Sequence, residues 1–62
     1  MTLDEAREHI GADVVYRPYV GAKVEDGQIV RVGTSLVFVL YVGDRTPKGT
    51  RAEDLHLTWT AR

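Results

Sequence analysis

Few residues in this chain of 62 have the types and spacing that catalysis requires. Ser35 is the only serine, it falls among turn residues with no histidine placed to activate it, and there is no cysteine to serve as nucleophile or thiolate ligand. Glu5 and His9 stand four apart, half of a metal site at most, and read as a pair on a helix surface. His56 follows Glu53 and Asp54, but alternation along a strand turns it away from Leu55 and Leu57, so it reads as an exposed strand histidine. The stretch from Gly43 to Thr50 has the composition of a phosphate loop in the wrong order. Lys48 precedes Gly49, Pro47 removes an amide, and a strand rather than a helix is expected next. No enzyme, metal, cofactor or small-molecule substrate is expected from these groups.

The remaining chemistry is recognition. Arg45, Lys48 and Arg51 lie close together in sequence, and Arg17, Lys23 and Arg31 are candidates for the same rim, with Tyr16 and Tyr19 available to stack on bases. The formal net charge is −1, however, and Glu25, Asp26 and Asp44 interrupt the basic residues, so a mixed solvated surface is the simpler reading of the rim. The opening residues are acidic, with Asp4, Glu5, Glu8 and Asp13 against Arg7. They do not read as a signal peptide, no stretch is long enough to span a bilayer, and a cytoplasmic protein is the expectation.

A stronger signal is the uncharged run of seven residues, Leu36 to Val42. In a strand, Val37, Val39 and Tyr41 point to one face and Leu36, Phe38 and Leu40 to the other, so both faces are apolar. One face is expected in the core with Ile29, Leu55 and Leu57. The other must lie under the N-terminal helix or under another chain.

Elements to position these residues follow from local signals. Thr2 and Glu5 form a capping-box pattern and Gly11 supplies a stop, which predicts a helix over about 3–10 with Leu3, Ala6 and Ile10 as its apolar stripe. That stripe is expected to be the main cover for Phe38 and Leu40. Strands are predicted at Val14 to Arg17, Gly27 to Val32, Leu36 to Val42, Lys48 to Arg51 and Leu55 to Trp59, with a single helical turn at Ala52 to Asp54. Ile29 and Val32 are spaced by three, which predicts a bulge between them, and Gly33 suits the first central position of a type II′ turn. The third strand must be interior, since an uncharged edge of that length invites aggregation.

Val15-Tyr16, Gly27 to Val32, Val37 to Tyr41, and Lys48-Gly49-Thr50 leading to Asp54-Leu55-His56-Leu57 resemble the small barrels of the Src-homology-3, Tudor and KOW type. Over roughly residues 1 to 58 the chain is similar to short, mostly uncharacterised proteins of actinobacterial bacteriophages. The resemblance implies a mainly β fold, an N-terminal α-helix followed by a five-stranded antiparallel SH3-like small barrel, in a single domain 1–62 with the barrel at about 13–59. It also implies a phage or prophage origin, with the host cytoplasm as the location. A Tudor-like aromatic cage would draw on Tyr16, Tyr19 and Tyr41 with Asp44, although Tyr41 is more economically read as core. The function expected is non-catalytic association, with a protein partner or with itself as a homodimer, through one sheet face carrying Val30, Phe38 and Leu40, with Tyr19. The alternative is nucleic-acid binding through Arg45, Lys48, Arg51, Arg17 and Tyr16.

Overall fold

The computed structural model describes residues 1–58. Helix α1 (Leu3–Glu8) is followed by β1 (Asp13–Tyr16), β2 (Glu25–Val32), β3 (Val37–Tyr41), β4 (Lys48–Thr50), a 3-10 turn (Ala52–Asp54) and β5 (Leu55–Leu57). The fold is mainly β. The five strands form one antiparallel sheet in the order β4-β3-β2-β1-β5, so β3 is interior, as an uncharged strand requires. Among the described residues no helix is long and apolar enough to cross a membrane. The expected end of the last strand, Trp59, lies outside the described residues.

The capping box forms as the sequence predicts: the Glu5 amide donates to Thr2 Oγ1 at 3.1 Å and the Thr2 amide donates to Glu5 Oε1 at 3.0 Å. The helix is shorter than the expected 3–10, because His9 is already its C-cap with φ −124°. Gly11 then takes φ +94°, a left-handed conformation that only glycine adopts at low cost, and turns the chain into β1. This turn is held to β2 by two backbone bonds, Gly11 N to Ile29 O and Ile29 N to Ala12 O.

The sheet curls without closing into a barrel. Thr50 ends β4 and Leu55 begins β5, with the 3-10 turn between them. At ~2.0 Å per 3-10 residue and ~3.4 Å per extended one, that link spans about 13 Å. Strands β4 and β5 stand at opposite edges, which in a flat sheet would put them about 19 Å apart at ~4.8 Å per spacing. Only a curled sheet brings the edges within reach of the link. The Arg17 amide donates to Asp54 O and anchors the turn beside β1, but among the described residues no ladder joins β4 to β5, so in place of the closed barrel expected from the sequence they form an open, curled sheet.

The inner, concave face holds the core. Val14, Ile29, Val37, Val39, Tyr41 and Leu55 are buried there, with Leu57, Tyr16 and Val32 packed against them. Ala6 of α1 is fully buried in the same cluster, and Met1 and Leu3 pack on it. The helix therefore covers the inner face, not the face of Phe38 and Leu40 as its stripe suggested. Ile10 stands beyond the C-cap and is 56% exposed, so it contributes nothing to the stripe.

The bulge falls where the spacing of Ile29 and Val32 puts it. Ile29 pairs with Val39 and Arg31 with Phe38, so Val30 is the extra residue. The turn after β2 departs from expectation: Gly33 does not have positive φ, which excludes the type II′ geometry, and its amide donates to Leu36 O at 2.8 Å. Glycine is favoured there for room, since a Cβ would sit 3.1 Å from the Phe38 ring.

Candidate functional site

Two surfaces gather the residues that the sequence singles out. The first is the outer face of β2 and β3. Alternation places Leu36, Phe38 and Leu40 on it, and the bulge turns Val30 and Arg31 to the same side, both opposite Phe38. Phe38 and Leu40 are half-buried; Val30 and Leu36 are 36% and 37% exposed, and Val42, just past β3, is 83% exposed. None of these residues belongs to the core cluster that α1 packs on. What covers Phe38 is Arg31, whose guanidinium carbon stands 4.0 Å from the ring centroid. Such a contact is worth about 0.5–1 kcal/mol at an exposed site and shields the ring while leaving a positive charge at the surface. The sequence pattern alone did not indicate this cover, because it requires the bulge to turn Arg31 to the Phe38 side.

Rows across the outer face follow from the register. Phe38 lies beside Arg31 and Gly49, and Leu40 beside Gln28, which lies beside Asp13. Asp26 lies beside Val15, and its carbonyl accepts from the Val42 amide at 3.0 Å. The apolar band thus has a basic end at Arg31 and an acidic end at Asp26, with Asp13 flanking its middle row. Tyr19 is 69% exposed in the loop between β1 and β2, outside these rows, so the structure does not bring it together with Val30, Phe38 and Leu40.

The second surface is a groove of about 290 Å³ where the ends of β1 and β3 meet β4 and the 3-10 turn. Tyr16, Tyr41, Glu25, Lys48, Arg51 and Asp54 line it. The two tyrosine rings meet edge to face, with centroids 6.1 Å apart and planes at 73°. Tyr41 is buried, and its hydroxyl hydrogen-bonds Thr50 Oγ1 at 2.7 Å, so it belongs to the core. Burial pushes the Tyr41 phenol above its usual range; the Thr50 bond opposes this, while Glu25, Tyr16 and Asp44 add to it. Tyr19 does not line the groove, and the three-tyrosine cage is not assembled.

Two of the basic residues of the rim are paired with carboxylates. Lys48 Nζ pairs with Asp44 at 3.3 Å, and Arg51 pairs with Glu53. Against the positive charges of Lys48 and Arg51 stand the carboxylates of Glu25, Asp54, Asp44 and Glu53. A phosphate backbone approaching this groove meets more negative charge than positive. Arg45 and Arg17 are exposed and do not line it.

The histidines are accounted for by local structure. His9 Nδ1 donates to Glu5 O at 2.7 Å, so its contact is with the helix backbone rather than the Glu5 carboxylate, which is engaged by the Thr2 amide. His56 is exposed, opposite Leu55 and Leu57. Among the described residues no three His, Asp or Glu side chains gather as a metal site needs. The chain matches no family model, no curated protein and no solved structure.

Proposed function

We propose that the chain is a small non-catalytic binding protein that acts by protein association through the outer face of β2 and β3. The observation that carries this reading is the placement of α1. Because the helix is committed to the inner core through Ala6, the band of Val30, Leu36, Phe38, Leu40 and Val42 stays outside the core cluster, with Val30, Leu36 and Val42 exposed and Arg31 stacked on Phe38. A contiguous apolar band bordered by charge is the usual make-up of an interface centre and its rim. The order β4-β3-β2-β1-β5, with a 3-10 turn returning the chain to β1, is in keeping with the likeness to an SH3-like small barrel; a phage or prophage accessory role in the host cytoplasm rests on the sequence resemblance alone.

Nucleic-acid binding draws less support, since Lys48 and Arg51 are paired with carboxylates. A photoreactive residue placed at position 40, compared with one at exposed position 8 on the helix, tests the reading in cells. Protein adducts are expected from position 40 and not from position 8. Equal adducts from both, or adducts from position 8 alone, would refute it.

A further inference from the structure

The outer face has a feature beyond its apolarity: two of its charges, Arg31 and Asp26, are placed to complement a copy of themselves, whereas Asp13, in the Gln28 row on β1, would meet only its own copy at the flank of the face. Arg31 stands at the level of Phe38, and Asp26 at the level of Val42, on the same strand and the same face. With Val30 taken up by the bulge, their separation matches the four steps from Phe38 to Val42 on β3, roughly 13 Å at ~3.3 Å per residue. Gln28 and Leu40 lie between them. Neither Arg31 nor Asp26 is in an ion pair among the described residues.

We propose that the occupant of this face is a second copy of the chain, related by a two-fold axis that crosses the strands near the level of Gln28 and Leu40. This rests on the outer-face reading above and names its partner. A rotation about that axis reverses the strand direction and lays β3 against the partner's β3. Arg31 then faces the partner's Asp26, and Asp26 faces the partner's Arg31, so one contact is made twice, as an isologous interface demands. The same rotation packs Leu40 near the partner's Leu40 and sets Phe38 against the partner's Val42, which accounts for an apolar side chain left 83% exposed. Packed sheets stand about 10 Å apart, a gap that an arginine and an aspartate reach across together. Arg31 keeps its stacking on Phe38 in this arrangement, because a guanidinium donates from its edge while its face rests on the ring.

Area sets the strength. Exposed apolar patches on monomeric proteins typically amount to about 300–600 Å², whereas a stable interface buries about 800 Å² per partner. The dimer is therefore weak, forming in the range of about 0.1–1 mM, and the two ion pairs make it sensitive to salt.

Sedimentation equilibrium of the whole chain over that range tests the assignment, with circular dichroism confirming that each variant is folded. Wild type is expected to dimerise, and raising salt from about 0.05 to 0.5 M to weaken the dimer about tenfold. Asp26→Arg and Arg31→Asp each place like charges opposite one another twice, and each is expected to weaken the dimer by at least about tenfold. Mixing the two variants restores both opposite-charge contacts, so the mixture is expected to dimerise where neither does alone. A wild type that stays monomeric at ~1 mM overturns the second-copy assignment and leaves the outer face to its crosslinking test. A dimer that survives both charge reversals, or one not rescued by mixing, also overturns it. A dimer that Leu40→Glu leaves undisturbed overturns the assignment and the outer-face reading together.

Discussion

Gly27 is the position at which the inner face can be probed with a single carbon atom. It is buried in β2 between Val14 of β1 and Tyr41 of β3, and its φ is not positive, so alanine meets no backbone strain there. The obstacle is space. A Cβ at Gly27 would stand 2.5 Å from Val39 Cγ1, 3.0 Å from Tyr41 Cδ1 and 3.1 Å from Leu40 O. Val39 cannot swing aside cheaply, being β-branched and fully buried, and Tyr41 is tethered by its bond to Thr50. Overpacking of this kind costs about 1–3 kcal/mol, offset by about 0.4–1 kcal/mol because alanine restricts the unfolded chain. The 2.5 Å approach to Val39 puts the cost in the upper part of that range, so Gly27→Ala is expected to lose about 1–2 kcal/mol, a large part of the ~3–9 kcal/mol that a chain of this size possesses. That corresponds to a Tm lowered by roughly 5–15 °C. Urea and thermal unfolding followed by circular dichroism measure it. In a Val39→Ala background, where the nearest obstructing atom is gone, the same substitution is expected to cost at least about 1 kcal/mol less, as a coupling in a double-mutant cycle. A stability unchanged within about 0.5 kcal/mol in the wild-type background would refute the packing of β2 on β3 described above.

Three further outcomes follow from the same geometry. Thr2→Ala removes the hydroxyl that accepts from the Glu5 amide and is expected to cost about 0.5–2 kcal/mol in thermal unfolding, with Thr2→Ser retaining most of it. Tyr41 has its phenol pKa raised in the folded state, so its share of stability is complete below the unfolded value near ~10 and is lost as pH rises through the folded value. Urea unfolding from pH 8 upward (about two units below that range) is therefore expected to show a decline in alkali that Tyr41→Phe abolishes, at a cost of about 0.5–1.5 kcal/mol for the Thr50 bond. Finally, the ion pairs at Lys48 and Arg51 predict that the protein is not retained on DNA or RNA columns at about 0.15 M salt; retention that disappears when both are reversed to glutamate would restore the nucleic-acid reading.

How much of this was legible in the sequence differs from element to element for physical reasons. The capping box, the bulge and the alternation that buries Val37, Val39 and Tyr41 depend on residues near one another in the chain, and their patterns carry the information directly. The docking of α1 does not. Both faces of β3 are apolar, and a helical stripe of Leu3 and Ala6 fits either; the choice is made by the turn at Gly11 and Ala12, whose bonds to Ile29 direct the helix onto the inner face. Ile10 read as part of the stripe only because the helix was expected to continue past His9. The identity of Gly33 suggests a turn type, whereas the room that glycine leaves there is set by the Phe38 ring, a neighbour in space. The open edge between β4 and β5 is a matter of hydrogen bonding between residues at the two ends of the sheet, and no local pattern reports it. At the candidate site, Val30, Phe38 and Leu40 were legible from alternation and spacing. Arg31 was not, because it joins them only through the bulge.

The central claim is that Leu40 belongs to an interface rather than to the core of its own chain, and the Leu40→Glu variant tests this most directly when stability and association are measured on the same sample. A half-buried residue outside the core cluster should tolerate the change at less than about 1.5 kcal/mol in urea unfolding. Association through the outer face, read by crosslinking from neighbouring position 42, should be lost. A variant that unfolds would place Leu40 in the core, and a folded variant that still associates through position 42 would show that the face is not where partners bind.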